Sequence, residues 1–152
     1  PYRSIGKILI ERGALAAETI SAEQIKMWLW ANPDQAAEVM NQNPSYVFFE
    51  ERPHLTDSDG PIGTAGIPLT AFRSIAVDPT HHALGSLIWI EAPDLPQIDR
   101  RIMVAQDTGG AIKGENRFDL FHGAGAEAGL AAGAMRHQII TRTLTPHPEG
   151  CA

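Results

Sequence analysis

Residues 101–121 run RIMVAQDTGGAIKGENRFDLF. Arg101 to Gln106 is an apolar, branched run that reads as a strand, and it stops at Asp107-Thr108-Gly109-Gly110, a cluster of turn-forming residues. Arg117 to Phe121 resumes as a strand. Alternation there sets Phe118 and Leu120 on one face and Arg117, Asp119 and Phe121 on the other. Working outward, the same punctuation recurs. Strands are expected near 46–51, 64–69, 73–77, 86–91, 101–106, 117–121 and 138–144, with turn-rich breaks at 54–61 and 92–96. A helix fits Ala126 to Met135, where alanines and Leu130 dominate. Seven short strands with one late helix predict a compact barrel rather than alternating βαβ units.

The first fifty residues carry helical signals instead. Ser4 caps a helix with apolar Ile5, Ile8 and Leu9, and Gly13 is placed to end it. Ser21 with Gln24 fits a capping box, Ile25, Trp28 and Leu29 form an apolar stripe, and Pro33 stops the run. Asn32 is expected to cap a third helix that opens on Pro33 and ends before Pro44. The fold class is therefore mainly β with an N-terminal helical segment.

At 152 residues and 16.4 kDa the chain is one domain's worth, long enough to bury a core without disulfides. Its net charge is −6 and it has no Lys/Arg-rich block, which argues against nucleic acid as a partner. The single cysteine, Cys151, closes no internal disulfide. No apolar run approaches the roughly twenty residues that span a bilayer. Residue 1 is Pro and the first turn reads as helix, which predicts no signal peptide and a chain that begins partway into a larger protein.

Three aspartates stand out. Asp78 before Pro79 and Asp107 before Thr108-Gly109-Gly110 read as turn-formers whose carboxylates bond nearby amides. Asp119 lies mid-strand beside Phe121, where partial desolvation would favour the protonated form that a general acid needs. Arg117 opposes this if its guanidinium pairs with Asp119, so the acid role requires that head to turn toward solvent. Gly109 to Gly114 is glycine-rich with Lys113 but lacks the Walker spacing, leaving a substrate-holding loop and a plain tight turn both open. Gly123-Ala124-Gly125-Ala126-Glu127-Ala128 has the dinucleotide spacing, yet too little chain follows for a doubly wound sheet, so it reads as a strand-to-helix turn. His81, His82, His122, His137 and His147 lack metal-ligand spacing and read as surface or loop histidines.

The segments 43–49, 66–70, 73–78, 104–114, 119–121 and 123–129 together resemble the membrane-bound lytic murein transglycosylase A family, in sequence order through nearly the whole chain. The later half resembles its three-aspartate domain, named for the positions held here by Asp78, Asp107 and Asp119. The resemblance implies part of a double-psi β-barrel, with residues 1–50 the tail of a second, inserted domain and 51–152 the late barrel segment. It implies cleavage of the MurNAc-β-1,4-GlcNAc bond of peptidoglycan with release of a 1,6-anhydro sugar, without metal or organic cofactor. Asp119 would be the catalytic acid/base, with Asp107 and Asp78 supporting it and Thr108, Gly109, Gly110, Lys113 and Tyr46 holding substrate. Peptidoglycan glycan strands are the implied partner, in the periplasm, with outer-membrane anchoring through a segment outside this chain. The early barrel strands, in the N-terminal part of the same protein, are a further implied partner. A rival reading is a non-catalytic, expansin-like polysaccharide-binding barrel, which needs no shielded Asp119.

Overall fold

The computed structural model describes residues 2–45, 47–56 and 58–146. The chain divides into two compact units, Pro1–Arg52 and Pro53–Ala152. The first is helical. Helix α1, Ile5–Glu11, starts where Ser4 Oγ accepts the Lys7 N–H at 3.4 Å. It ends on Gly13 at φ 68°, with the Gly13 N–H on Ile10 O and the Ala14 N–H on Leu9 O. That pair of bonds satisfies two carbonyls of the last turn, and it needs a left-handed residue, which glycine supplies without a Cβ penalty.

Helix α2 is Ala22–Ala31 and α3 is Pro33–Met40. Ser21 Oγ caps α2 by accepting the Gln24 N–H at 3.2 Å. The reciprocal half of the capping box is absent, because Gln24 Oε1 is buried with no hydrogen-bond partner among the described residues. Asn32 also departs from expectation. Its side chain makes no cap bond to α3 but donates from Nδ2 to Trp28 O at 2.8 Å, closing α2 instead. The Pro33 ring has no N–H to cap, which lowers the demand at the start of α3. Ile8, Leu9 and Val39 form the buried core of this unit, with Ile25, Trp28 and Leu29 packed around it.

The second unit is built on a five-stranded mixed sheet. Its strands are β1 (Ser74–Val77), β2 (Leu87–Glu91), β3 (Arg101–Thr108), β4 (Asp119–Leu120) and β5 (Ile140–Leu144), in spatial order β4-β1-β3-β2-β5. β1 and β3 run parallel and the other pairs antiparallel. Helix α4, Ala126–Ala134, lies between β4 and β5 in the chain. The core is Ile75, Val77, Ile88, Ile90, Ala92, Leu95, Ile98, Met103 and Ala105, joined at its margin by Phe118 and Leu120 as their strand face predicts.

Three strand expectations are corrected. Residues 47–51 are irregular: aromatic and branched side chains carry β propensity, but propensity expresses itself only against a paired neighbour. The 64–69 strand reduces to a single bridge between Ile62 and Pro68, since Pro68 has no N–H to give a ladder. The 117–121 strand shortens to two residues, the length over which β1 supplies a partner. The sheet is also open. Among the described residues β4 and β5 are its edges and do not pair with each other, so the closed barrel expected from strand count is not formed.

Candidate functional site

Strand register gathers the aspartates. Ala76 in the middle of β1 pairs with Asp107 of β3 on one side and Asp119 of β4 on the other. Directly paired residues share a sheet face, so Asp119, Ala76 and Asp107 form a row, and two strand spacings put the outer two about 10 Å apart at Cα. The row depends on an irregularity. Ile75 pairs with Ala105 but Ala76 with Asp107, so Gln106 is an extra residue on β3. Without it Ala76 would face Gln106, and Asp107 would fall beside Val77, whose side chain is in the core. A bulge that re-aims a side chain next to a site is a recurrent device. Here Ser74 Oγ donates to Gln106 Oε1, and the Ala65 N–H donates to Gln106 O at 3.0 Å.

Each aspartate meets different chemistry. Asp107 Oδ1 accepts from the Thr64 N–H at 2.9 Å and from Thr64 Oγ1 at 2.8 Å, tying the 62–68 turn to the end of β3. Thr64 Oγ1 lies 2.9 Å from Thr108 Oγ1. Asp78 is 4% exposed and binds the 109–114 loop. Its carboxylate accepts from the Gly114 N–H at 2.8 Å, the Thr80 N–H at 3.1 Å and Thr80 Oγ1 at 2.9 Å, with Lys113 Nζ at 3.9 Å. Those donors, the Gly114 and Thr80 amides foremost, hold its pKa down to about 2. The turn-forming reading holds for Asp78 through its bonds to Thr80; Asp107 instead ends β3 and bonds a residue 43 positions away in the chain.

Asp119 differs from both. Arg117 grips it with two bonds, Nε to Oδ1 at 2.6 Å and the terminal nitrogen to Oδ2 at 3.2 Å. The bond and the negative charge raise the guanidinium's pKa. The side chains are 54% and 47% exposed. Both conditions expected of a shielded acid, a guanidinium turned away and a partly desolvated carboxyl, are thus unmet in this conformation. The cause is local: residues i and i+2 of a strand point the same way, and beyond the two-residue β4 nothing covers them.

Asp119 and Arg117 line a groove of about 770 Å³. Ile75, Ile90, Leu95 and Ile98 give it apolar lining, and residues 116–120, His122 and, past the end of α4, Met135, Arg136 and His137 complete it. Asp119 is the only carboxylate among the described residues that line it. Thr108, Gly109, Gly110 and Lys113, expected to hold substrate, do not line this groove, and Tyr46 lies outside the described residues.

Two family models match the chain, the MltA specific insert domain over residues 1–50 and the 3D domain over residues 73–145. The chain belongs to the membrane-bound lytic murein transglycosylase A family. The family member of that name from Vibrio cholerae is 40% identical over 145 residues, spanning 90% of this chain and 38% of its own length. Among solved structures, a membrane-bound lytic murein transglycosylase from Agrobacterium tumefaciens matches with TM-score 0.78 at 40% identity, over 95% of this chain and 40% of that one. The Escherichia coli MltA with bound chitohexaose matches with TM-score 0.80 at 34% identity, over 95% and 45%. The chain therefore spans well under half the length of these transglycosylase A relatives.

Against that family background the groove contains residues that spacing rules passed over. His122 is not a surface histidine: it is 8% exposed, its ring meets Phe72 edge-on at 5.3 Å, and Nε2 lies 3.3 Å from Met135 Sδ. Its Nδ1 is buried with no partner among the described residues. His82, which does not line the groove, is equally buried, with Nε2 2.8 Å from Glu115 O and its ring against Phe118. Phe72, whose ring meets His122, stands at φ 56°, unusual for an aromatic; nothing in the sequence displayed that constrained turn or the burial of the two histidines. Among the described residues no three of His, Cys, Asp or Glu gather as a metal site, and no helix is long and apolar enough to cross a membrane.

Proposed function

We propose that this chain supplies the acid/base and part of the sugar groove of a peptidoglycan lytic transglycosylase, which breaks the MurNAc-β-1,4-GlcNAc bond and forms 1,6-anhydro-MurNAc. The observation that carries this is Asp119 as the lone carboxylate lining the groove, in a chain of this family. Ordinary glycosidases use two carboxyls because one must activate water or attack the sugar. When the sugar's own C6 hydroxyl attacks C1, one carboxyl serves twice: it protonates the departing O4, then takes the C6 hydroxyl proton. In this scheme Asp107 and Asp78 support the site, Asp107 across Ala76 and Asp78 by fastening the 109–114 loop. Thr108 at the end of β3, with Gly109, Gly110 and Lys113 of that loop, contacts the glycan beyond the groove.

The Arg117 fork bears on this scheme. It occupies both carboxylate oxygens of Asp119 and must open before the first step. Both partners are half exposed, and pairs of that kind contribute about 0–1 kcal/mol, so an incoming glycan strand can displace the guanidinium. We further propose that residues 1–50 are the end of the inserted domain and 51–152 the late segment of a double-psi β-barrel, whose open edges at β4 and β5 take strands from the rest of the protein. Catalysis then belongs to the whole protein, at the cell envelope on the periplasmic side of the outer membrane, with the glycan strands of the wall as substrate.

The fork also favours a second reading, a barrel that holds polysaccharide without cutting it. Murein sacculi incubated with the full protein separate the two. Release of anhydromuropeptides by mass spectrometry, lost in Asp119→Ala, is the expected result. Retained binding to sacculi with no such product from the unaltered protein overturns the cutting reaction.

A further inference from the structure

The groove holds two guanidiniums, and only one of them is engaged. Arg117 is held by Asp119. Arg136, a lining residue just past the end of α4, is exposed and makes no hydrogen bond or ion pair among the described residues. It bonds none of the last-turn carbonyls of α4, the groups that would ordinarily attract a cation there. Among the described residues, the ionisable groups lining the groove are Arg117, Asp119, His122, Arg136 and His137. With neutral histidines that is two positive charges against one negative, in a chain whose net charge is −6. A cleft of opposite sign to its molecule draws anions selectively.

We propose that Arg136 is a specificity residue of this groove, receiving the carboxylate that a murein sugar carries and a chitin sugar lacks. The proposal rests on the glycan-cleaving reading above. N-acetylmuramic acid differs from N-acetylglucosamine by a 3-O-lactyl ether ending in a carboxylate, free or extended by a peptide. The planar guanidinium presents paired N–H donors that match a carboxylate in two bonds, which the compact ammonium of lysine does not. The apolar lining accommodates the faces of the sugar rings while Arg136 distinguishes one substituent. Arg117 starts from its bond to Asp119, whereas Arg136 has no partner to give up among the described residues.

Titration calorimetry on the full protein with a MurNAc–GlcNAc tetrasaccharide and with a chito-oligosaccharide of equal length tests it. The unaltered protein is expected to bind the lactyl-bearing glycan about fivefold more tightly at low salt, the range of one exposed ion pair. Arg136→Gln is expected to abolish that preference with chito-oligosaccharide affinity unchanged, and Arg136→Lys to keep part of it. Equal affinity of the unaltered protein for both glycans, or a parallel loss of both in Arg136→Gln, overturns the assignment to Arg136 with the glycan reading intact. No binding of either glycan overturns the glycan reading and the assignment with it.

Discussion

Arg117 and Asp119 are joined by two bonds, yet geometry alone does not make the pair strong. Water reaches both side chains, so their attraction is screened and is offset by the side-chain entropy of holding them together. Arg117→Gln should therefore lower stability by less than about 1 kcal/mol in urea unfolding. Asp78 presents the opposite case. It is buried and satisfies the Gly114 and Thr80 amides, so its charged form is part of the loop's structure. Its pKa is depressed from the ordinary 3.8 to about 2. A depressed carboxyl stabilises the fold above the unfolded value and loses that contribution as pH falls through the folded value. The protection factor at Gly114, its exchange relative to the intrinsic rate at the same pH, should thus hold at pH 5 and fall between about pH 4 and 2, and Asp78→Asn should show the lower factor already at pH 5. The Asp-Pro step made Asp78 legible as a turn residue. Which distant amide it would hold was not legible, because Gly114 is 36 residues away.

At the level of the element, β3 carries the consequential feature. Strand period alone sets alternate residues on alternate faces, and it sends Asp107 to the same face as Met103 and Ala105. The bulge at Gln106 reverses that parity beyond Ala105. A register shift of this kind belongs to the pairing of two strands, so one strand's sequence does not display it. The bulge is also braced from outside by the 62–68 turn. A Cβ on Gly63 would stand 2.5 Å from Gln106 O and 2.6 Å from Leu69 Cδ2, which backbone on one side and core on the other do not permit. Gly63→Ala should lower stability by about 1–3 kcal/mol and, through Thr64, loosen Asp107. Thermal unfolding reads the first effect, and amide exchange at Thr64 the second. The helix ends behaved more predictably. Ser4, Ser21 and Gly13 act within a few residues of themselves, so their roles follow from local chemistry.

Across the molecule, two units carry two separate apolar clusters, one around Ile8, Leu9 and Val39 and the other around the sheet. Leu9 is fully buried in the first. Leu9→Ala should cost about 2–5 kcal/mol locally and speed exchange through α1, while the amides of β3 keep their protection. Equal loss of protection in β3 would show that the two clusters unfold as one.

The sequence by itself determined the helical start, the strands near 73–77, 86–91, 101–106 and 138–144, and the family, because caps, turn residues and ordered motifs act over short spans; it stopped the third strand two residues early, at Asp107 and Thr108, which belong to β3. Tertiary structure alone decided that Asp107 and Asp119 flank Ala76, that His122 is buried and that the sheet stays open. Each of those depends on which strands become neighbours, and neighbours far apart in the chain leave no local imprint on either segment.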